Sequence, residues 1–599
     1  LSSLPIPNAR HAPVQRQAAH RRLPAGLQDR ASSIPHSQLA IRNSPTLHVG
    51  NVGPYTHTMP IAVRGLTLGL DEPEDLLPDR AAKRLRIKPE DIRLWAIVRR
   101  SLDARKHDRL GFVYNIELAL SGSPRQEAQL VKRLRRADVA LITSEEPPPL
   151  EPGRESLAGR PVVVGFGPAG MFAALLLASH GYRPLVIDRG PDVKTRNQNV
   201  LVGFYREHRF NPESNLLFGE GGAGTYSDGK LYTRVNDPRA RMILETFYQH
   251  GADPDVLIDS RPHIGSDRLP AICRRIRQRI EQLGGEVRFS SRLDDLVIRD
   301  GALSAIVVNG ETIACGPVIL AVGHSARDTL RMLGRRGVAF EPKPFQLGVR
   351  IEHPQSMVDR WQYGPHCGHP RLPPAEYRLV AKGAAGDRGD VFSFCMCPGG
   401  MILPTNESPG EISTNGASRS RRSGPLANSG LVVTVDPREV HPPVQNDPLA
   451  TFDFLEQIER TAFEITGRSY KLPIQRACDF VQGHPSDGKL ETSYPLGGQW
   501  SDLRQILPDG IAQSIARGIE QLNRRLPGFG GPDALVAAPE TRASGPVRML
   551  RVPQTRESVS TRNLYPVGEG AGYAGGIISA AVDGLKSAET IISRFAKPA

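Results

Sequence analysis

Hydrophobic and polar positions divide the chain into a polar beginning and a long patterned remainder. Residues 1–58 show no sustained hydrophobic period and carry six arginines against one aspartate, which is typical of a disordered extension. An organellar presequence is the alternative for this stretch. Residues 59–144 switch between strand-like and helix-like periods and predict a small α+β domain of ferredoxin-like type. The proline-rich residues 145–159 predict a linker.

From residue 160 onward the pattern is that of an α/β protein. Residues 161–164 suit a buried parallel strand, residues 171–180 an apolar helix, and residues 184–187 a second strand. Short strands at about 345–440 predict an antiparallel insertion, and the end of the chain returns to strand, glycine turn and helix. We therefore predict a Rossmann-like nucleotide domain in two parts, 160–335 and 546–599, around a substrate domain with an antiparallel sheet at 336–545.

A glycine-rich turn joins the first of these strands to its helix. Gly165 permits a tight turn, Gly167 lets the backbone approach a diphosphate, and Gly170 lets helix and strand pack closely. The helix N-terminus adds free N–H groups and a positive dipole end. Asp188 ends the second strand, where an acid accepts hydrogen bonds from a ribose and disfavours a 2′-phosphate. The pattern predicts FAD or NAD rather than NADP.

Downstream segments favour FAD over NAD. Residues 284–289 and 293–297 are typical of strands that pass the adenine, and residues 318–323 predict a buried strand ending in a glycine turn. Residues 564–584 resemble the C-terminal segment of glutathione-reductase-type FAD folds. In those folds an acid holds the ribityl chain, and a helix N-terminus faces the pyrimidine edge of the flavin. The resemblance assigns these roles to Glu569 and to Gly576-Ile577.

A second glycine-rich segment, Asn215 to Leu231 (NLLFGEGGAGTYSDGKL), is similar to the signature of a family of uncharacterised bacterial FAD-dependent dehydrogenases, or NAD(P)/FAD-dependent oxidoreductases. Further matching segments are residues 261–265, 323–328, 348–354, 394–400 and 568–576. The resemblance spans about residues 60 to 595 and implies a flavoprotein with a small N-terminal α+β domain and no assigned substrate. Asp188 stands where such flavoproteins usually carry glutamate.

The predicted cofactor-binding residues come from the glycine-rich segments, the ends of the buried strands and the C-terminal region. Lys230 is expected at the diphosphate or the flavin face. Arg327 is expected beside flavin N1, with an ion pair to Asp328 as the alternative. The full set is Gly165, Gly167, Pro168, Ala169, Gly170, Asp188, Arg189, Gly221, Gly222, Ala223, Lys230, Leu293, Gly323, Arg327, Glu569, Gly576 and Ile577.

Three residues are candidates for catalysis: Cys395, Cys397 and His324. Strand alternation predicts that the two cysteine side chains share one face, where a thiol near the flavin would serve in redox chemistry or proton transfer. Buried structural cysteines are the alternative. His324 follows the strand that ends at Gly323 and is expected to border the cofactor. The cysteines and histidines lack the spacing of a zinc or iron–sulfur site, so no metal is predicted.

The charge distribution and the number of cysteines bear on the possible partners and on the cellular location. Of the net charge of +13, residues 1–58 contribute +5, and the rest is spread thinly, so nucleic acid is not favoured as a partner. The basic run at 99–109 is interpreted as a solvated hairpin, with an RNA or acidic partner as the alternative. The longest uncharged run, 161–182, is interrupted by glycines, so no membrane span is predicted. Six cysteines in so long a chain favour a reducing, cytoplasmic location.

These patterns together predict an FAD-dependent oxidoreductase, and more narrowly a dehydrogenase. It would pass hydride or electrons between a small-molecule substrate and an electron acceptor. NADH or NADPH is a candidate transient electron donor, because no convincing second nucleotide domain is present. Two alternatives remain open: a flavin-dependent tRNA-modifying enzyme, and a binding protein that holds FAD without turnover.

Overall fold

The computed structural model describes residues 60–142, 149–233, 235–489 and 491–598, all of which belong to one compact unit. The predicted extension, residues 1–58, lies outside the described residues, as do residues 145–148 of the predicted linker. From residue 149 the backbone runs beside the end of the chain, where the Gly153 N–H donates to the Ile592 carbonyl at 2.8 Å.

The first region, residues 60–142, is an antiparallel sheet with two helices in the order βαββαβ. The strands lie in the order β2-β3-β1-β4. Alternate residues of β3, from Phe112 to Leu118, are buried, because successive side chains of a strand point to opposite faces. The elements are β1 (Ile61–Gly69), α1 (Leu77–Leu85), β2 (Ile92–Asp103), β3 (Gly111–Leu120), α2 (Pro124–Leu134) and β4 (Val139–Leu141).

The remaining helices and strands follow in two groups. Up to residue 342 they are β5 (Val162–Val164), α3 (Pro168–Ser179), β6 (Leu185–Ile187), α4 (Val193–Gln198), α5 (Arg239–Gln249), α6 (Leu269–Gln282), β7 (Glu286–Arg288), β8 (Leu293–Arg299), β9 (Ala302–Val308), β10 (Glu311–Ala314), β11 (Val318–Leu320), α7 (Arg327–Arg335) and β12 (Phe340–Pro342). Beyond it they are β13 (Phe345–Pro354), α8 (Gln355–Tyr363), β14 (Val380–Ala381), β15 (Val391–Cys397), β16 (Met401–Pro404), β17 (Thr414–Ala417), β18 (Leu426–Val435), α9 (Pro437–Val440), α10 (Thr451–Ile465), β19 (Leu472–Arg476), α11 (Ala477–Gln482), β20 (Gly498–Trp500), α12 (Asp509–Arg525), β21 (Leu535–Glu540), β22 (Val547–Met549), β23 (Leu564–Pro566) and α13 (Ile577–Arg594).

Five parallel strands in the order β23-β11-β5-β6-β7 form the first large sheet. Both faces of β5 are covered: Val163 packs into the core beneath α3 and α13, whereas Val162 and Val164 pack into the core on the other side. Such double burial explains why the strand is wholly apolar. Because β23 pairs with β11, the end of the chain completes a sheet that begins four hundred residues earlier.

A seven-stranded sheet in the order β14-β15-β18-β13-β21-β19-β20 forms the second layer system, antiparallel except for the β19–β20 pair. Helix α12 packs on it through Ile511, Ile515, Ile519 and Leu522, which share one helix face. The predicted mixed α/β class, with parallel and antiparallel sheets in one chain, is confirmed.

Candidate active site

The carboxyl ends of the parallel strands open onto a cavity of about 800 Å³. Val164 and Ile187, the last residues of β5 and β6, reach it, and the loops that follow these strands form one wall. Segments around β14, β15 and β17 form the opposite wall. Ligands of open α/β sheets bind at this edge, and the volume is within the range of small-molecule sites.

Sixteen of the twenty residues predicted for the site line this cavity. Gly170, Gly221, Arg327 and Cys397 do not. The sixteen are Gly165, Gly167, Pro168, Ala169, Asp188, Arg189, Gly222, Ala223, Lys230, Leu293, Gly323, His324, Cys395, Glu569, Gly576 and Ile577.

The glycines of the first turn have different surroundings. A Cβ on Gly165, whose φ is +98°, would lie 2.4 Å from the Ala321 carbonyl oxygen, and one on Gly170 would lie 1.9 Å from the Gly165 oxygen. Those two glycines serve chain packing. Gly167 is extended, with φ −74°, and a Cβ there would meet nothing closer than Gly222 Cα at 4.0 Å. Gly167 therefore leaves its side open, directly before the unpaired first-turn amides of α3.

Gly221 belongs with the packing glycines. Its φ is +81°, and a Cβ would lie 1.9 Å from Thr225 Oγ1 and 2.7 Å from Cys273 Sγ. Its neighbours Gly222 and Ala223 do reach the cavity. The conformation of Gly221 thus shapes a loop whose next residues line the site.

The Asp188 carboxylate holds the two glycine-rich segments together. It accepts backbone N–H groups from Phe166 at 2.8 Å and from Gly190 and Gly219 at 2.9 Å each. Burial raises the pKa of Asp188, and these amide donors act in the opposite direction. Asp188 therefore has a structural role in joining these segments. It also lines the cavity, as its predicted contact with a ribose requires.

Arg189 and Arg327 have partners that the sequence did not suggest. Arg189 pairs with Glu213 and Asp328, both at 2.7 Å, and lies over the Phe218 ring. The alternative ion pair between Arg327 and Asp328 is therefore wrong, because Asp328 is engaged by Arg189.

Arg327 belongs to a buried ion cluster, which we define as Arg327, Arg542, Glu407 and Glu459. Arg327 donates to both Glu459 oxygens at 2.8 and 2.9 Å, and its backbone N–H donates to Glu407 at 2.9 Å. Arg542 pairs with Glu407 at 2.8 Å and Glu459 at 3.1 Å. Arg327 thus faces α10 rather than the cavity, which corrects its predicted place beside the flavin. Arg542, which the sequence did not indicate, does line the cavity.

Lys230 lies in a buried polar group on the opposite wall. Its Nζ is 2.5 Å from Asp228 Oδ2 and 3.7 Å from Cys397 Sγ. Burial alone would lower the pKa of Lys230, but the ion pair with Asp228 raises it above its usual value, so the ammonium form persists. Burial also raises the pKa of Cys397, which favours the thiol.

The two cysteines of β15 do not share one face. The pairing of β15 with β18 shifts between Phe394 and Cys397, and Cys395 has φ +47°. This bulge adds a residue and breaks the predicted alternation. Cys395 is exposed on the cavity wall, whereas Cys397 is buried behind it with Sγ 3.2 Å from the Cys395 carbonyl oxygen.

His324 and Glu569 meet across the cavity wall, with His324 Nδ1 3.3 Å from Glu569 Oε2. The buried His324 Nε2 has no hydrogen-bond partner within the described part of the chain, and neither has Asp228 Oδ1. Buried polar atoms without partners are costly, so a polar ligand is expected to satisfy them. With the open side of Gly167 and the amides of α3, these atoms fit a diphosphate joined to a heteroatom-rich ring, as in FAD.

Several lining residues escaped the sequence reasoning. Tyr226 lies inside the recognised glycine-rich segment and Phe394 begins the matching segment 394–400, so the sequence could have indicated both. The others carry no local signal, because the fold alone brings them to the cavity. They include Tyr232, Arg378, Asn415 and Arg542.

The basic run at 99–109 takes part in ion pairs. Arg100 donates to Asp259 at 2.8 Å and Asp255 at 2.9 Å, which fastens β2 to the segment near residue 258, and Arg105 pairs with Asp103. These contacts favour a structural role for the run. Across residues 60–142, 149–233, 235–489 and 491–598, we find no helix with the length and apolarity of a membrane span and no cluster of metal-ligating side chains.

Comparison with known proteins adds an independent view. Residues 344–543 match a family described as "FAD-dependent protein, C-terminal domain-like", and residues 61–119 match a domain of unknown function. An uncharacterised protein of Clostridium beijerinckii is 41% identical over 542 residues, covering 90% of this chain and all of that protein. Protein FixC of Escherichia coli is 26% identical over 211 residues, covering 34% of this chain and 45% of FixC.

Solved structures show more distant likeness. A geranylgeranyl bacteriochlorophyll reductase-like protein from Thermoplasma acidophilum is 14% identical, with 73% of this chain and 78% of that chain covered and a TM-score of 0.31. Glycine oxidase from Bacillus cereus is 11% identical, with 73% and 98% covered and a TM-score of 0.29. Such low values support no transfer of function.

The family match and the full-length relative settle the general assignment. The predicted cofactor, FAD, is confirmed, and with it the general prediction of an FAD-dependent oxidoreductase of unassigned substrate, since FAD is a redox cofactor. The chain belongs to the same family as the uncharacterised Clostridium beijerinckii protein, and its residues 344–543 match the FAD-dependent family.

Proposed function

We propose that the chain is an FAD-dependent dehydrogenase of the glutathione-reductase type, acting on a small organic substrate. The observation that carries this proposal is that the α3 N-terminus, Asp188, Glu569 and the start of α13 all border one cavity. Bound FAD supplies two-electron redox chemistry to such a site. The residues of the chain supply binding, orientation and exclusion of water.

The diphosphate would lie against the first-turn amides of α3. These amides lack intrahelical acceptors, and the helix dipole adds a partial positive charge at the same place. The open side of Gly167 gives an anion room to approach the backbone. Asp188 holds the flanking loops in this arrangement through its three amide contacts and presents its cavity side to a ribose.

The isoalloxazine end would lie near the start of α13. Helix α13 begins at Ile577 after Gly576, so its dipole favours negative charge at that end of the cavity. Glu569 orients the His324 ring through Nδ1 and leaves Nε2 for a hydrogen bond to the bound ring. Of the two candidate cysteines, Cys395 is the one in position to touch a substrate, because Cys397 lies behind it.

Electron donors can be identified from the visible spectrum of the purified holoprotein. We expect a yellow protein, and we expect anaerobic addition of NADH or NADPH to bleach it if a nicotinamide is the transient donor. Bleaching only by an organic compound would instead identify a direct substrate. A flavin that no donor reduces would contradict the dehydrogenase and support a protein that holds FAD without turnover.

Gly167→Leu tests the cofactor position. A Cβ at Gly167 meets no protein atom closer than 4.0 Å, so we expect the fold to persist while the added side chain blocks the cofactor and flavin absorbance is lost. Gly69→Leu is the matched control, because a Cβ at Gly69 also meets nothing closer than 3.7 Å and the residue lies outside the cavity lining. A folded Gly167→Leu variant that keeps its yellow colour would overturn the assignment.

A further inference from the structure

The wall opposite α3 carries a positive charge that no carboxylate among the described residues neutralises. The cavity is lined by the cations Arg189, Lys230, Arg292, Arg378 and Arg542. Four of them pair with carboxylates within 3.2 Å. In the described portion of the chain Arg378 has neither an ion pair nor a hydrogen bond. One uncompensated cation therefore faces the contents of the cavity.

The nearest acid in sequence does not neutralise it. Glu376 also lines the cavity, but its carboxylate pairs with Arg261 at 2.6 Å and with Arg422 at 3.8 Å. Arg378 instead stacks on Tyr232, with its guanidinium carbon 5.1 Å from the ring centroid. Stacking orients the planar guanidinium and leaves its N–H edge free. A free guanidinium edge can bind a carboxylate through two parallel hydrogen bonds.

Apolar side chains share the cavity lining with Arg378. Aromatic and aliphatic side chains from three separate segments contribute to it: Tyr226, Tyr232, Leu379, Phe392, Phe394 and Met396. Aromatic side chains bind flat rings through stacked or edge-on contacts. An apolar body beside a single cationic group suits an amphiphilic anion rather than a sugar or a polycation.

We propose that the substrate is an organic carboxylate with an apolar, ring-bearing body, held by Arg378 at the cavity mouth. The proposal rests on the proposed function, since it assigns a substrate class to the same cavity. The body would lie against Phe394 and Met396, beside the exposed Cys395 thiol, and the carboxylate would lie on the Arg378 edge.

The test is a titration of the flavin-loaded protein, followed by its visible absorbance, with 3-phenylpropionate and with the neutral 3-phenylpropionamide. We expect the carboxylate to shift the flavin spectrum and the amide to bind at least about tenfold more weakly. Arg378→Gln is expected to raise the Kd of the carboxylate about tenfold to hundredfold and to leave the Kd of the amide unchanged. Arg299→Gln removes an exposed positive charge outside the cavity lining and should change neither value.

The outcomes separate this proposal from the one on which it rests. A colourless protein that cannot be loaded with FAD overturns the proposed function itself. A yellow protein that binds acid and amide equally, or binds neither, overturns only the substrate class. Loss of FAD from Arg378→Gln would assign Arg378 to the cofactor and would also overturn it.

Discussion

The two walls of the cavity are built by different means. Backbone forms the wall around α3, where Gly165 and Gly170 let chain segments touch and Gly167 leaves space. Side chains form the opposite wall, where Lys230, Arg378 and Cys395 come from segments far apart in sequence. A wall made of backbone needs a short, fixed spacing of glycines, whereas a wall made of side chains depends on the pairing of distant strands. The second wall is therefore the one that single substitutions can remodel.

Support for the second wall comes from the buried ion cluster. Its members come from α7, α10, the segment after β16 and the segment after β21. Arg542 both belongs to the cluster and lines the cavity. We therefore expect charge changes in this cluster to lower the free energy of unfolding and also to shift Arg542 in the cavity lining.

Arg327→Met is expected to have the largest effect, a loss of about 3–5 kcal/mol in the free energy of unfolding. The substitution leaves Glu459, which is wholly buried, without its bidentate partner. Urea unfolding of the holoprotein measures the loss. Arg331→Met is the control, because Arg331 is part of the same helix but its side chain is 31% exposed, and we expect a loss of less than about 1 kcal/mol. Equal losses in both variants would contradict the stabilising role of the cluster.

Glu411→Gln is expected to change the pH dependence of stability. Burial, together with Glu459 and Glu407, raises the pKa of Glu411 to about 7, against the pull of Arg327 and Arg542. Arg460 is a further charged neighbour, 3.7 Å away. Between the ordinary pKa of 4.5 and about 7 the folded chain holds a proton that the unfolded chain has lost. Stability therefore falls as the pH rises through this window.

The glutamine variant cannot lose that proton, so its unfolding free energy should fall less than that of the parent protein across the window. The contributions of Glu540 and His353, whose pKa values are also shifted by burial, remain in both proteins. At pH 8 it should exceed that of the parent protein by about 1–3 kcal/mol. Chemical denaturation at pH 5 and pH 8 makes the comparison, with the exposed Glu464→Gln as control. Parallel pH profiles for Glu411→Gln and the parent protein would show that the cluster carries no such proton.

The same contrast between the walls explains which parts of the site could be predicted from the sequence. The strand–turn–helix unit at 162–188 was predictable, because hydrophobic runs and glycine spacing are local. Arg327 was misplaced, because its partner Glu459 is 132 residues away and no local pattern reports the pairing. The alternation predicted for Cys395 and Cys397 failed at a bulge, which depends on β18. Arg378 was missed, because an exposed arginine in a loop has no distinguishing pattern.

The smallest expected effect comes from substituting Cys395. The substitution tests whether the strained backbone at this residue serves the reaction. Cys395 has φ +47°, a conformation that costs a residue with a side chain about 1 kcal/mol relative to glycine. Cys395→Gly is therefore expected to raise the free energy of unfolding by up to about 1 kcal/mol while slowing substrate-dependent bleaching of the flavin. Ser290→Gly, at an exposed position with φ +50° outside the cavity lining, should give the same stability gain with no change in bleaching. If Cys395→Gly gained stability and bleached at the parent rate, the thiol would have no part in the reaction, and the strain would belong to the bulge alone.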